Sequence, residues 1–196
     1  MKKLFASLAL LSLLSFTNNE TIYNVEKNAS IHWLGKKTTG QHEGDVTLKS
    51  GTLNFDGTTP TKGEFVMDMT SMTSTDIKDA DDNKNLLSHL KGDEFFDVTT
   101  FPTAVLSAKK FEKIAGKEGA ANYNVTGDLT IKGVTNEIKF PAKIYFQKDM
   151  VTANAAITID RTKWKIVYKS KTIFPTLGDK FIYDDMVFTV SLALHK

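Results

Sequence analysis

The chain has 196 residues, 41% of them hydrophobic, with 25 basic against 23 acidic side chains and no cysteine. That length suits one domain with a core of its own, and the lack of cysteine excludes disulfides, thiol nucleophiles and thiolate metal sites. The near balance of charge argues against nucleic acid as a partner.

In chain order, the first signal is Lys2 and Lys3 ahead of an apolar run over residues 4–16 and a polar flank, Thr17-Asn18-Asn19-Glu20. The run is too short to span a bilayer. A basic start, a short apolar stretch and a polar flank are the pattern of a secretory signal peptide. The expected division is a signal over residues 1–19 and a domain over 20–196, periplasmic or secreted. Removing Lys2 and Lys3 leaves 23 basic against 23 acidic residues.

Period-two alternation then dominates, the signature of strands with one buried face. Ile31 and Trp33 begin it. Val46 and Leu48, then Leu53 and Phe55, flank a kink at Ser50-Gly51, while Phe65, Met67 and Met69 oppose Glu64, Asp68 and Thr70. Residues 75–92 break the pattern, because Leu86, Leu87 and Leu90 share one helical side and Gly92 stands where a helix end favours a left-handed residue. Alternation resumes weakly at Ala104, Leu106 and Ala108. It is strongest later: Tyr123, Val125, Leu129 and Ile131; then Ile138, Phe140, Ala142, Ile144 and Phe146; then Val151, Ala153, Ala155, Ile157 and Ile159. Turns at Lys132-Gly133 and Lys148-Asp149 separate these three. Residues 166–182, rich in lysine, aromatics and turn formers, are expected to form a loop or distorted hairpin at the rim. Met186, Phe188, Val190, Leu192 and Leu194 make the last strand. The pattern predicts an all-β fold, eight antiparallel strands in a barrel or sandwich, with a short helix between strands 3 and 4.

Catalytic patterns are nearly absent. There is no G-x-S-x-G elbow, no G-x-G-x-x-G and no P-loop. His32, His42, His89 and His195 form no H-x-x-x-H pair, and Asp79-Ala80-Asp81-Asp82-Asn83 starts like a calcium loop but puts Lys84 where glycine is needed and Leu90 where the bidentate glutamate belongs. The expectation is therefore no enzyme, no cofactor and no metal, with His42 and His89 orienting loops.

Several stretches resemble the YceI-like family of secreted bacterial barrels. They are Ser88-His89-Leu90, Asp93-Glu94-Phe95-Phe96-Asp97, Phe101-Pro102-Thr103-Ala104, the nine residues from Gly127 to Thr135 (GDLTIKGVT), and Ile159-Asp160-Arg161-Thr162-Lys163-Trp164. The resemblance implies a lipocalin-like eight-stranded barrel whose lumen holds a polyisoprenoid or quinone-like tail. The residues alone leave the interior open to two readings, because small positions such as Ala104, Ala108, Gly127, Ala142, Ala153 and Ala155 suit a tunnel, whereas Trp33, Phe55, Phe65, Phe140 and Phe188 could fill it. With the resemblance, the ligand contacts expected are Trp33, Phe55, Phe65, Met67, Met69, Leu106, Leu129, Phe140, Ala142, Ala155, Ile157 and Phe188, and Arg161 at the rim for a polar head, against the plainer reading of Arg161 as the partner of an ion pair with Asp160 or another rim acid. The expected partner is a long apolar lipid, with any membrane contact transient. The competing reading is a solid-cored envelope interaction or stress-response module, and behind it an isoprenoid-modifying enzyme.

The export expectation is checked by N-terminal sequencing of protein recovered from its native cell: the first residue should lie within a few positions of Asn18. Intact Met1 on cytosolic protein would refute it.

Overall fold

The computed structural model describes residues 20–115, 119–147 and 149–196. The expected signal segment and Lys148 of the expected turn lie outside them. Nine strands run in chain order: β1 (Thr21–Val25), β2 (Ser30–Lys37), β3 (Gly40–Asp56), β4 (Thr59–Asp68), β5 (Thr103–Lys113), β6 (Tyr123–Ile131), β7 (Val134–Gln147), β8 (Met150–Asp160) and β9 (Ile182–His195). The order is β1-β3-β2-β9-β8-β7-β6-β5-β4, and pairing of β3 with β4 closes the ring. Every pair is antiparallel.

Nine strands make eight staves because β1 and β2 share one. Tyr23 of β1 faces Leu53 of β3 and Val25 faces Leu194 of β9, while Ile31 of β2 faces Val46 and Val190 of the same two neighbours. β1 escapes an alternation test because it is short and carries an apolar residue on its wet side, Ile22 at 49% exposure. The helix α1 (Ala80–Lys91) accordingly follows the fourth strand, where the sequence placed it after the third.

Two of the register shifts reset which side chains of a stave face inward. Inward residues of β3 switch from Val46 and Leu48 to Leu53 and Phe55, a change of parity that needs one extra residue, and the register with β4 shifts between Leu48 and Ser50. β5 does the same between Ala108 and Lys110, turning Phe111 into the barrel. At the turn between β6 and β7, Lys132 at φ 50° and Gly133 at φ 71° give the left-handed pair that a two-residue hairpin requires.

One end of the barrel is closed by aromatics. Tyr23, Phe55 and Phe146 meet with ring centroids 5.4 to 5.8 Å apart, beside the fully buried Val151 and Leu194. The other end carries the two long connections. The one between β4 and β5 first runs along β3, where Thr73 N–H donates to Asp45 O and Thr75 N–H to Glu43 O. Gly44 lies beneath it, and a Cβ there would stand 1.9 Å from Thr73 O, so only glycine allows the approach. α1 then starts at Ala80, later than the expected 75, because the Asp79 carboxylate accepts the Asp81 and Asp82 N–H groups as an N-cap. Gly92 ends it in an extended conformation (φ −73°, ψ 175°) and not the expected left-handed one.

The connection from β8 to β9 is anchored by Arg161, which is 1% exposed. Its guanidinium donates to the carbonyl oxygens of Ile166 (2.8 Å), Ile182 (3.2 Å) and Tyr183 (3.2 Å), and Nη2 lies 3.3 Å from Asp184 Oδ1. Asp160 is occupied elsewhere, accepting Thr162 N–H and Oγ1–H. The expectation that Arg161 meets a ligand head at the rim is therefore corrected: its donors hold a loop. Burial works to raise the Asp184 carboxyl, but Ser170, Thr172 and the Arg161 charge outweigh it and hold the group below the ordinary carboxylate range.

A carboxylate depressed in the folded state stabilises fully above its unfolded value, about 3.9, and loses that contribution as pH falls through the folded value. Urea unfolding of Arg161→Met at pH 7 should show a loss of about 3–5 kcal/mol, since one partner of a buried pair is left alone. The same variant should lose less than the wild type on acidification below about pH 4.

Candidate functional site

The inward face of the barrel does not close on itself. A cavity of about 130 Å³, counted as room for the centre of a water molecule, runs through the interior, roughly ten times what one water needs. It reaches from Met69, Met72, Leu90 and Phe96 under the α1 end to Leu53, Ile144 and Leu192 toward the aromatic plug. The lining is apolar; Asn154 of β8 borders the cavity, but its side chain lies on the exposed face, where it accepts Ser191 Oγ–H at 2.9 Å. Ile31, Phe65, Leu106, Phe111, Ile138, Phe188 and Val190 line it and are only partly buried, whereas side chains of a solid core meet atoms on every side.

Small residues make the room. Ala142 of β7 lies directly opposite Ala155 of β8, and Ala153, Ala104 and Ala108 add to the lining. Gly127 has a different reason: it faces Ala108 across β5 and β6, and a Cβ would meet Ser107 O at 2.6 Å. Met67, Met69, Met72 and Met186 are flexible, polarisable wall elements that adapt to irregular contents.

Of the expected contacts, Trp33, Phe65, Met67, Met69, Leu106, Leu129, Phe140, Ala142, Ala155, Ile157 and Phe188 all line the cavity. Phe55 does not, because it is fully buried in the plug with Tyr23 and Phe146, and Arg161 does not for the reason given above. Lining residues that alternation missed are Phe111, past the β5 bulge, and Met72 and Phe96, in the β4–β5 connection. The Phe95-Phe96 pair following Leu90 is the one signal that could have found the last of these.

The wall has a split. β7 pairs with β8 only from Ala142↔Ala155 to Gln147↔Met150, while residues 134–141 of β7 and 156–160 of β8 pair with their outer neighbours, β6 and β9. Trp164 bridges the upper part, its Nε1–H donating to Leu129 O at 2.9 Å, and Asn136 Nδ2 donates to Lys163 O. Pro141 stands where the strands part. Ala142 O and Ile144 N both bond to Asn122 beside β6, so even residues of β7 turn their backbone toward β6 and the nitrogen of Pro141 turns toward β8. A residue without an N–H is suited to an unpaired position.

The histidines lie off the cavity. His42 Nδ1 is 2.8 Å from Asp76 Oδ2, in a loop where Glu43 N–H and Ser74 Oγ–H also donate to Asp76. Burial works to raise that carboxyl, but these three bonds hold it below its usual range. His89 is 3.6 Å from Glu94 and stacks on Tyr168. Among the described residues no group of three or more His, Asp or Glu is placed to hold a metal ion.

Comparison with known proteins agrees with this architecture. The chain is 30% identical over 99 residues to a UPF0312 protein of Pectobacterium carotovorum, a match spanning 46% of that relative. It is 29% identical over 158 residues to Protein YceI of Salmonella arizonae, covering 76% of each chain. The chain therefore spans about half the length of the first of these curated relatives. Among solved structures, Burkholderia cenocepacia BcnA superposes with a TM-score of 0.64 at 20% identity, over 84% of this chain and 95% of that one. A structure described as a polyisoprenoid binding domain from Saccharophagus degradans gives 0.63 at 12% identity, over 88% and 97%. These likenesses are in the fold. The profile of the YceI-like domain matches residues 23–194, nearly the whole barrel, and the chain belongs to the YceI-like family.

Proposed function

We propose that this protein is a periplasmic or secreted carrier that holds a long apolar lipid, an isoprenoid or quinone-like tail, in its lumen. The observation that carries this reading is the cavity itself: it runs much of the barrel's length, is apolar, and leaves inward side chains partly bare. Support also comes from the solved relative named for polyisoprenoid binding and from the basic, apolar, polar order of residues 2–20. Sequestration needs no reacting group. Each buried CH₂ leaves water with a gain of about 0.8 kcal/mol, and a wall with almost no polar atoms gives no competing site for a charged or hydrated cargo.

Native mass spectrometry with lipid extraction, on protein purified from its own envelope, tests the reading: a bound lipid of isoprenoid or comparable chain type is expected. Ala155→Phe should cut that occupancy at least tenfold, because the ring enters space opposite Ala142. The melting temperature should move by less than about 4 °C, whereas overpacking a solid core would cost about 1–3 kcal/mol. A large fall in stability, with no lipid on the wild type, would reject the carrier.

Carriage also predicts indifference to the histidines. His42→Ala and His89→Ala, mixed with isoprenoid phosphates, esters and quinones, should leave every compound unchanged, and so should the wild type. A product that depends on either histidine, with a rate loss of roughly a hundredfold or more on its removal, would make the protein an enzyme.

A further inference from the structure

The balanced charge of the chain hides a local excess. Lys163, Lys165, Lys169, Lys171 and Lys180 are all exposed, and Asp179 is the one acidic residue from position 163 to 180. The same stretch shows two large apolar side chains to solvent, Ile173 at 48% and Phe174 at 45%. Their exposure is built in. Ser170 is fully buried, bridges to Ile182, and fixes the tip by accepting Phe174 N–H at its carbonyl and Ile173 N–H at its hydroxyl. The inner side of the loop is packed through Ile166, Phe181 and the Arg161 bonds. A loop with its core side satisfied still turns adjacent Ile and Phe outward. Around them, Lys171 Nζ lies 4.8 Å from the Phe181 ring, which meets Tyr183, itself 46% exposed, edge-on at 5.0 Å.

We propose that residues 167–181 dock the barrel on an anionic lipid surface. Ile173 and Phe174 enter the boundary between headgroups and acyl chains, and Lys169, Lys171 and Lys180 meet the headgroup phosphates. Two apolar side chains at a loop tip, among ammonium groups on flexible stems, suit a fluid interface that demands no fixed complementary shape. Docking this way presents the α1 end of the barrel to the membrane, since Tyr168 at the root of the loop packs on Phe95 and stacks with His89 of α1. The inference deepens the carrier reading by naming the surface from which cargo passes, and its test does not require the cargo to be known.

Co-sedimentation of residues 20–196 with vesicles of phosphatidylcholine and phosphatidylglycerol (about 70:30) provides the test, beside pure phosphatidylcholine. The wild type should pellet with the anionic vesicles and hardly at all with the neutral ones. Ile173→Ser with Phe174→Ser should weaken binding at least tenfold, and each of Lys169→Gln, Lys171→Gln and Lys180→Gln about fivefold, as about 1 kcal/mol per surface lysine implies. Thermal melts should match the wild type in all variants, and lipid retained in the lumen, read by native mass spectrometry, should be unchanged, which separates this test from the test of carriage. Wild-type protein left in the supernatant would overturn the proposal. So would binding that survives both sets of substitutions, or binding that needs the lysines but ignores Ile173 and Phe174, the behaviour expected for an acidic protein partner.

Discussion

The ring depends on the double engagement of β3. Its 17 residues pair with β2 along the first half and with β4 and β1 along the second. A flat strand could not serve both, because eight staves close only when the sheet coils, and the shift between Leu48 and Ser50 supplies the extra bend while keeping apolar residues inward on both sides of it. Gly51, just past the shift, has Val25 within 2.5 Å and Phe65 within 2.9 Å of where a Cβ would stand. The Val25 and Phe65 side chains can close over β3 there because Gly51 puts no side chain between them.

Closure on that strand sets what the two ends become. Toward the chain termini the staves converge on Tyr23, Phe55 and Phe146, and the interior is full. Toward α1 the staves are joined by long connections that cross above the lumen, contributing Met72, Leu90 and Phe96 to its wall. Between these limits the interior is held open by small residues, Ala142 against Ala155 with Ala104, Ala108 and Ala153, among larger ones. The result is an apolar space with one end sealed by rings and the other covered by side chains on connections.

Much of this was legible in the sequence where a strand is regular and one face is wet. β6, β8 and β9 read directly, since nothing interrupts their period of two, and β7 does so from Ile138. The failures have physical causes. Ile22 on the outside concealed β1, and unbroken alternation from Ala104, Leu106 and Ala108 would leave Phe111 outside, whereas a bulge turns it in. Phe55 alternates correctly and does face inward, but alternation gives direction and not depth, so it could not separate a plug residue from a cavity wall. Arg161, after an alternating strand and before Trp164, admitted a rim head-group role or an ion pair with a nearby acid; the pair is present, with Asp184 and not Asp160, but no local pattern reveals that three carbonyl oxygens of a loop will surround it as well.

The split between β7 and β8 bears on how the molecule behaves in company. A strand that leaves its neighbour partway presents backbone donors and acceptors to any other extended chain, which is how edge-to-edge aggregation begins. Here the odd residues of β7 face the split, and the first of them beyond the last pair is Pro141, which has no hydrogen to offer. Exposed Glu137 and Lys139 follow along the same edge, adding charge that an incoming strand would have to bury. The barrel can thus stay ajar on one flank without becoming a template for fibrils.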